Sequence, residues 1–117
     1  MAYDPNNIFA KILRGEIPCQ KVYENAHALA FHDIRPQTKI HVLVIPKRHI
    51  TSVLDLTPAD DELMGSLVRR ATDLARAEGL ADRGFRLVFN CGEEAGYSVY
   101  HIHLHLVGGR KLGWPPG

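Results

Sequence analysis

Apolar and polar positions alternate most strictly between Ser98 and Gly109, where the chain reads Ser-Val-Tyr-His-Ile-His-Leu-His-Leu-Val-Gly-Gly. A period of two marks a β-strand. The stretch is therefore predicted as a strand that turns His101, His103 and His105 to one face and Tyr100, Ile102, Leu104 and Leu106 to the other. Ile40 to Pro46 is apolar throughout except for His41 and predicts a central, buried strand. Val22–Tyr23 and Ala28–Ile34 predict a hairpin across Glu24-Asn25-Ala26, with Leu29, Phe31 and Asp33 opposite Ala30, His32 and Ile34. Gly84 to Asn90 predicts a further strand, with Phe85, Leu87 and Phe89 on one side, paired antiparallel with the histidine strand. Two stretches carry the helical period instead. Asn7 to Arg14 presents Ile8, Phe9, Ile12 and Leu13, with Asn6 or Asn7 as cap and Gly15 as stop. The longer one opens at Thr57-Pro58-Ala59-Asp60, with Thr57 as cap, and closes at Gly79. Leu63, Leu67, Ala71, Leu74 and Ala75 form its buried stripe, and Met64 and Val68 widen it. The predicted fold class is α+β, with about five mostly antiparallel strands, one short helix and one long one.

Composition narrows the function classes. A chain of 117 residues supports one domain, here spanning 1–117. A formal net charge of +1 without a basic run argues against a dedicated nucleic-acid partner. No apolar run approaches the roughly 18 residues that a membrane span needs, and residues 1–7 do not read as a signal peptide. Cys19 and Cys91 form no CxxC and are expected as reduced thiols, so the expected compartment is the cytoplasm.

Three imidazoles in register change the picture most. A core face would prefer Val or Ile, and a solvent face Lys, Glu or Thr. Imidazole, with an ordinary pKa of about 6.5, suits proton transfer, nucleophilic attack or metal binding near neutrality. One reading is a metal site, with His41 joining from the neighbouring strand. The other is nucleophilic catalysis on phosphorus, with the middle histidine, His103, holding a phosphoryl group covalently. That chemistry needs a partner for the second ring nitrogen and donors for the phosphoryl oxygens. The preceding loop offers both a close backbone approach at Gly96 and a hydroxyl at Ser98.

The run His101-Ile-His103-Leu-His105-Leu106-Val107 resembles the motif of the histidine triad (HIT) superfamily. Ile8-Phe9, Ala30-Phe31-His32-Asp33-Ile34, Val44-Ile45-Pro46-Lys47-Arg48-His49 and Gly108-Gly109-Arg110 through Trp114-Pro115-Pro116-Gly117 are similar to its Hint branch. The branch that hydrolyses diadenosine polyphosphates typically carries Pro-Arg where this chain has Gly108-Gly109. The resemblance implies a HIT fold, a homodimer with joined sheets, and a purine nucleoside phosphoramidase that needs no cofactor or metal. It implies adenosine or guanosine 5′-phosphoramidates and aminoacyl-adenylates as substrates, with AMP or GMP bound as product. His103 matches the nucleophile, and His41, His101 and His105 match the histidines that orient and assist it. Asp33 matches the ribose-binding carboxylate, and His32 and Ile34 line the base and ribose pocket. Asn90, Gly96 and Ser98 match the phosphate-side contacts, and Trp114, in the tail 110–117, matches a residue that approaches the partner subunit. Tyr97 stands where the family often has glutamine, which handles the leaving group or the attacking water. Asn7 and Ala10 stand where some relatives carry a zinc-binding Cys-x-x-Cys, so no structural zinc is expected.

Overall fold

The computed structural model describes residues 2–117. Asn7 caps the first helix, its side-chain oxygen accepting the Ala10 N–H at 2.9 Å. Helix α1 (Ile8–Leu13) buries Phe9 and Ala10 and gives way to Gly15 at φ +78°. Strands β1 (Lys21–Glu24) and β2 (Ala28–His32) form the expected hairpin, and β3 (Ile40–Pro46) follows. Helix α2 (Asp61–Ala77), β4 (Phe85–Val88) and β5 (Leu104–Gly108) complete the fold. The five strands form one sheet in the order β1-β2-β3-β5-β4, every neighbouring pair antiparallel.

Period-two alternation sorts the side chains between two layers. Ala28, Ala30, Val42, Val44, Leu104 and Leu106 meet Leu67, Ala71 and Ala75 of α2. Small residues on both surfaces let the helix lie close to the sheet. Leu29, Phe31, Leu43 and Ile45 face the other way and pack with Phe9 of α1. That second layer is small, and α1 leaves part of the sheet face open. Val68, expected to widen the buried stripe of α2, is 41% exposed.

The structure corrects four sequence expectations. Strand β2 stops at His32 rather than Ile34, because Asp33 Oδ1 accepts the Arg35 N–H at 2.8 Å and turns the chain aside. Strand β4 ends at Val88, which leaves Asn90 in the following loop. Helix α2 is preceded by a separate 3-10 turn, Pro58–Asp60, with Thr57 at its N-cap as expected and the Asp60 carboxylate completing a capping box. That carboxylate accepts the Thr57 N–H at 2.9 Å and the Thr57 hydroxyl at 3.4 Å.

The largest correction concerns the histidine stretch. Only Leu104 onward belongs to β5, and residues 98–103 lie outside the ladder. The register pairs Val44 with Leu104, so continuing it would set Ile102 against Pro46, which has no N–H to offer. Ile102 instead donates its own N–H to the Ile50 carbonyl at 2.7 Å. The Pro46 carbonyl takes the His101 ring at 2.8 Å.

Among the described residues, no helix is long and apolar enough to cross a membrane. The tail lies against β4: Arg86 hydrogen-bonds the Gly113 carbonyl, and its guanidinium stands 5.8 Å from the centre of the Trp114 ring. Trp114 itself is 83% exposed.

Candidate functional site

On the α1 side of the sheet, the open face is a cavity of about 400 Å³. His103 and His105 stand at one end with Asn90, Gly96, Tyr97 and Ser98, and His32, Asp33 and Ile34 form the rim beyond β2. The opposite wall is apolar, built from residues such as Phe9, Ile12, Ile17 and Leu43. The structure thus brings nine of the sequence-predicted residues into one pocket. His41 reaches it through His105 and Asp33, and Trp114 does not line it.

His101 does not share the cavity face with the other two histidines. It is wholly buried, and its Nε2–H donates to the Pro46 carbonyl. Its Nδ1 is therefore an acceptor, and the Tyr3 hydroxyl donates to it at 2.6 Å. The backbone carbonyl of His101 in turn accepts from His103 Nδ1 at 2.8 Å. A carbonyl can only accept, so His103 carries its proton on Nδ1 and keeps a lone pair on Nε2.

The same reasoning fixes the other pair. The Gln37 N–H donates to His41 Nδ1 at 3.0 Å, so the His41 proton sits on Nε2. That N–H lies 2.9 Å from His105 Nδ1 and 3.4 Å from Asp33 Oδ2. His105 Nδ1 accepts it, and His105 keeps its own proton on Nε2. Backbone and neighbouring rings therefore leave the cavity one imidazole with a lone pair and one with an N–H.

Burial sets the charge of all four rings. Desolvation holds His103 and His41 below the ordinary histidine range, although the Asp33 carboxylate opposes it in both. His101 and His105 are pushed down to about 4 by desolvation first and neighbouring histidines second, with the His101–Pro46 hydrogen bond working against the shift in His101. The rings are thus neutral at pH 7, the form in which a lone pair is available for attack.

Asp33, His41 and His105 bring three potential ligand atoms within 4.8 Å of one another. The two nitrogens are 2.9 Å apart, closer than about 3.4 Å, the separation of two ligands each 2.0–2.1 Å from a tetrahedral zinc. They are also bonded to each other through a proton. The geometry fits a hydrogen-bonded relay better than a metal cradle.

Several contributors act through contacts that the local pattern did not give. Phe9, read as part of an apolar stripe and of the Ile8-Phe9 likeness, sets its ring edge-on to His103, 4.9 Å between centres and 80° between planes. Tyr97 stacks on His103 at 5.3 Å and 15°. Its hydroxyl is buried and donates to the Thr51 carbonyl at 2.5 Å. That bond directs the only polar atom of the side chain away from any ligand. Burial also raises the phenol pKa, which keeps it protonated. Gly96, at φ +75° in the left-handed region, lets the loop turn sharply enough to present Ser98.

Comparison with known proteins bears on the family and the fold. The HIT domain model matches residues 14–112. An uncharacterized 13.2 kDa HIT-like protein of Azospirillum brasilense is 51% identical over 112 residues, covering 95% of this chain and 92% of that protein. The crystal structure of a HIT family hydrolase from Legionella pneumophila superposes with a TM-score of 0.93 at 53% identity, covering 96% of this chain and all of that one (100%). A histidine triad nucleotide-binding protein from Candida albicans gives a TM-score of 0.80 at 31% identity, covering 94% of this chain and 83% of that one. With five antiparallel strands in one sheet, two helices and the histidine run at the sheet's open face, the chain belongs to the HIT domain family.

Proposed function

We propose that this protein is a Hint-type hydrolase that cleaves the P–N bond of purine nucleoside 5′-phosphoramidates and of related aminoacyl-adenylates. The observation that carries the reading is the unequal protonation of the two cavity imidazoles. His103 offers a lone pair on Nε2, and His105 offers an N–H on Nε2, at one end of an apolar slot.

The purine base lies between the apolar walls, and Asp33 accepts from the ribose hydroxyls, flanked by His32 and Ile34. The phosphate rests against Ser98, Gly96 and Asn90. His103 Nε2 attacks the α-phosphorus, the P–N bond breaks, and the nucleotide is held on the imidazole. The amine leaves as its nitrogen takes a proton from solvent at the cavity mouth, with the His105 Nε2–H hydrogen-bonding the departing group into place. Water then attacks phosphorus, AMP or GMP departs, and the His103 lone pair is restored. His41 holds the His105 ring in its tautomer, and the carbonyl of His101 does the same for His103. No step calls for a metal, and turnover is expected to survive exhaustive chelation.

The reading includes a homodimer in which the two sheets join and Trp114 approaches the partner's site. Its high exposure in the single chain supports this.

The test is release of AMP from an adenosine phosphoramidate, with the label followed on the protein. Wild type should turn over and give a transient labelled species at His103. His103→Gly should lose at least a thousandfold in kcat and take up no label. Tight AMP binding without any release would replace the enzyme with a nucleotide-binding module.

A further inference from the structure

The segment before α1 lies outside residues 14–112 matched by the family model, yet it touches the histidines. It is fastened in place: the Asn7 N–H donates to the Asp4 carbonyl at 3.2 Å, and Arg14 Nη1 donates to the Pro5 carbonyl at 2.7 Å. The segment lies beside the loop that presents Ser98, since Ala2, Asp4 and Asn7 share a hollow with Ser98, Val99 and Tyr100. From this segment the Tyr3 ring stacks parallel to His49, 4.4 Å between centres and 6° between planes. Its hydroxyl donates to His101 Nδ1 at 2.6 Å.

We propose that Tyr3 is a positioning residue for the nucleophile, acting through His101. His101 is wholly buried, so no water can reach its Nδ1. The Tyr3 hydroxyl is the donor that lets this ring stay neutral with its proton on Nε2, facing the Pro46 carbonyl. Without that donor, moving the proton to Nδ1 would set the Nε2 lone pair against the carbonyl oxygen, and the ring and its backbone would shift. The His101 carbonyl is the group that fixes the proton of His103 on Nδ1. A displaced carbonyl loosens that bond and lets the lone pair of His103 leave Nε2. Tyr3 thus acts at two removes from phosphorus. It touches no substrate, and no family motif points to it.

This inference rests on His103 being the nucleophile, and its test separates the two. Tyr3→Phe keeps the ring on His49 and removes only the hydroxyl. With histidine labelled by ¹⁵N, the variant should move the His101 Nδ1 resonance toward that of an unbonded acceptor nitrogen. It should lower kcat roughly tenfold, the rate equivalent of one lost hydrogen bond, with KM unchanged. Unchanged resonances, or wild-type kcat whatever the melting temperature does, would overturn the role. A wild-type protein inactive on the phosphoramidate sinks the proposed hydrolase and the nucleophile with it, while the hold of the Tyr3 hydroxyl on the His101 ring is still read from the resonances, which need no substrate.

Discussion

The most instructive single side chain is Tyr97. The resemblance sets this position against a glutamine expected to handle the leaving group or water, and a tyrosine there invites the idea that its hydroxyl substitutes. The geometry argues otherwise, because the hydroxyl is spent on the Thr51 carbonyl and the ring is what meets His103. Tyr97→Phe should therefore leave kcat within about twofold of wild type. It should still destabilise the fold, since a buried carbonyl left without its donor costs about 1–3 kcal/mol. A urea titration beside the AMP-release assay checks both halves, and a large loss of turnover with unchanged stability would return the hydroxyl to the chemistry. Tyr97→Ala should slow turnover, because the ring that holds one face of His103 is gone. The contacts such side chains make escape a local reading of the sequence, even where the position itself is noticed. Tyr97, Phe9 and Tyr3 are joined to the histidines by rings and hydroxyls meeting across the fold, in the last case over 98 positions. No local periodicity encodes such a meeting.

At the level of elements, the sequence reading succeeded wherever local pattern and tertiary packing agree. Helix α1 with its asparagine cap, the β1–β2 hairpin, β3 and the body of α2 all stand within a few residues of their expected places. The reading failed where a local rule met a partner that could not comply. The alternation through Ser98–Gly109 is genuine, but a strand also needs a neighbour with free N–H groups, and Pro46 offers none. The consequence is functional, because His101 leaves the row and becomes the buried support for His103. The start of α2 keeps Thr57 at the N-cap, and the Asp60 carboxylate completes the capping box there and also pairs with Arg48 at 2.6 Å. Asp60→Ala should thus lower the melting temperature by several degrees through loss of the cap. It should leave KM and kcat near wild type, since Asp60 does not line the histidine cavity. A change in KM would show that the 47–60 connection reaches the substrate pocket.

For the molecule as a whole, stability and site are coupled through the neutral imidazoles. One face of the sheet is sealed by α2, and the other is left partly open. The protein places four histidines in or behind that open face, and burial lowers the pKa of every one. In the unfolded chain these rings titrate near 6.5. In the folded protein His101 and His105 titrate near 4. Between those values the unfolded chain binds more protons, so falling pH favours unfolding. The stabilisation is complete above about pH 6.5 and is lost as pH falls through the folded value of about 4. A tenfold difference in proton affinity between the two states is worth about 1.36 kcal/mol, so the two rings together contribute on the order of a few kcal/mol. The folded site meanwhile keeps the His103 lone pair free of a proton below the usual histidine range. Its kcat/KM should therefore hold through about pH 6.5, the ordinary histidine value, and decline only at lower pH. Chemical denaturation from about pH 8 down to about pH 4.5, a span that brackets the unfolded titration, should give an unfolding free energy that is level at first and then falls. The steepest part of that fall should shrink in a His105→Asn variant, which removes one of the two most depressed rings. A flat profile would mean that these histidines are as protonated in the fold as out of it, and the lone pair on His103 would then lose its physical basis.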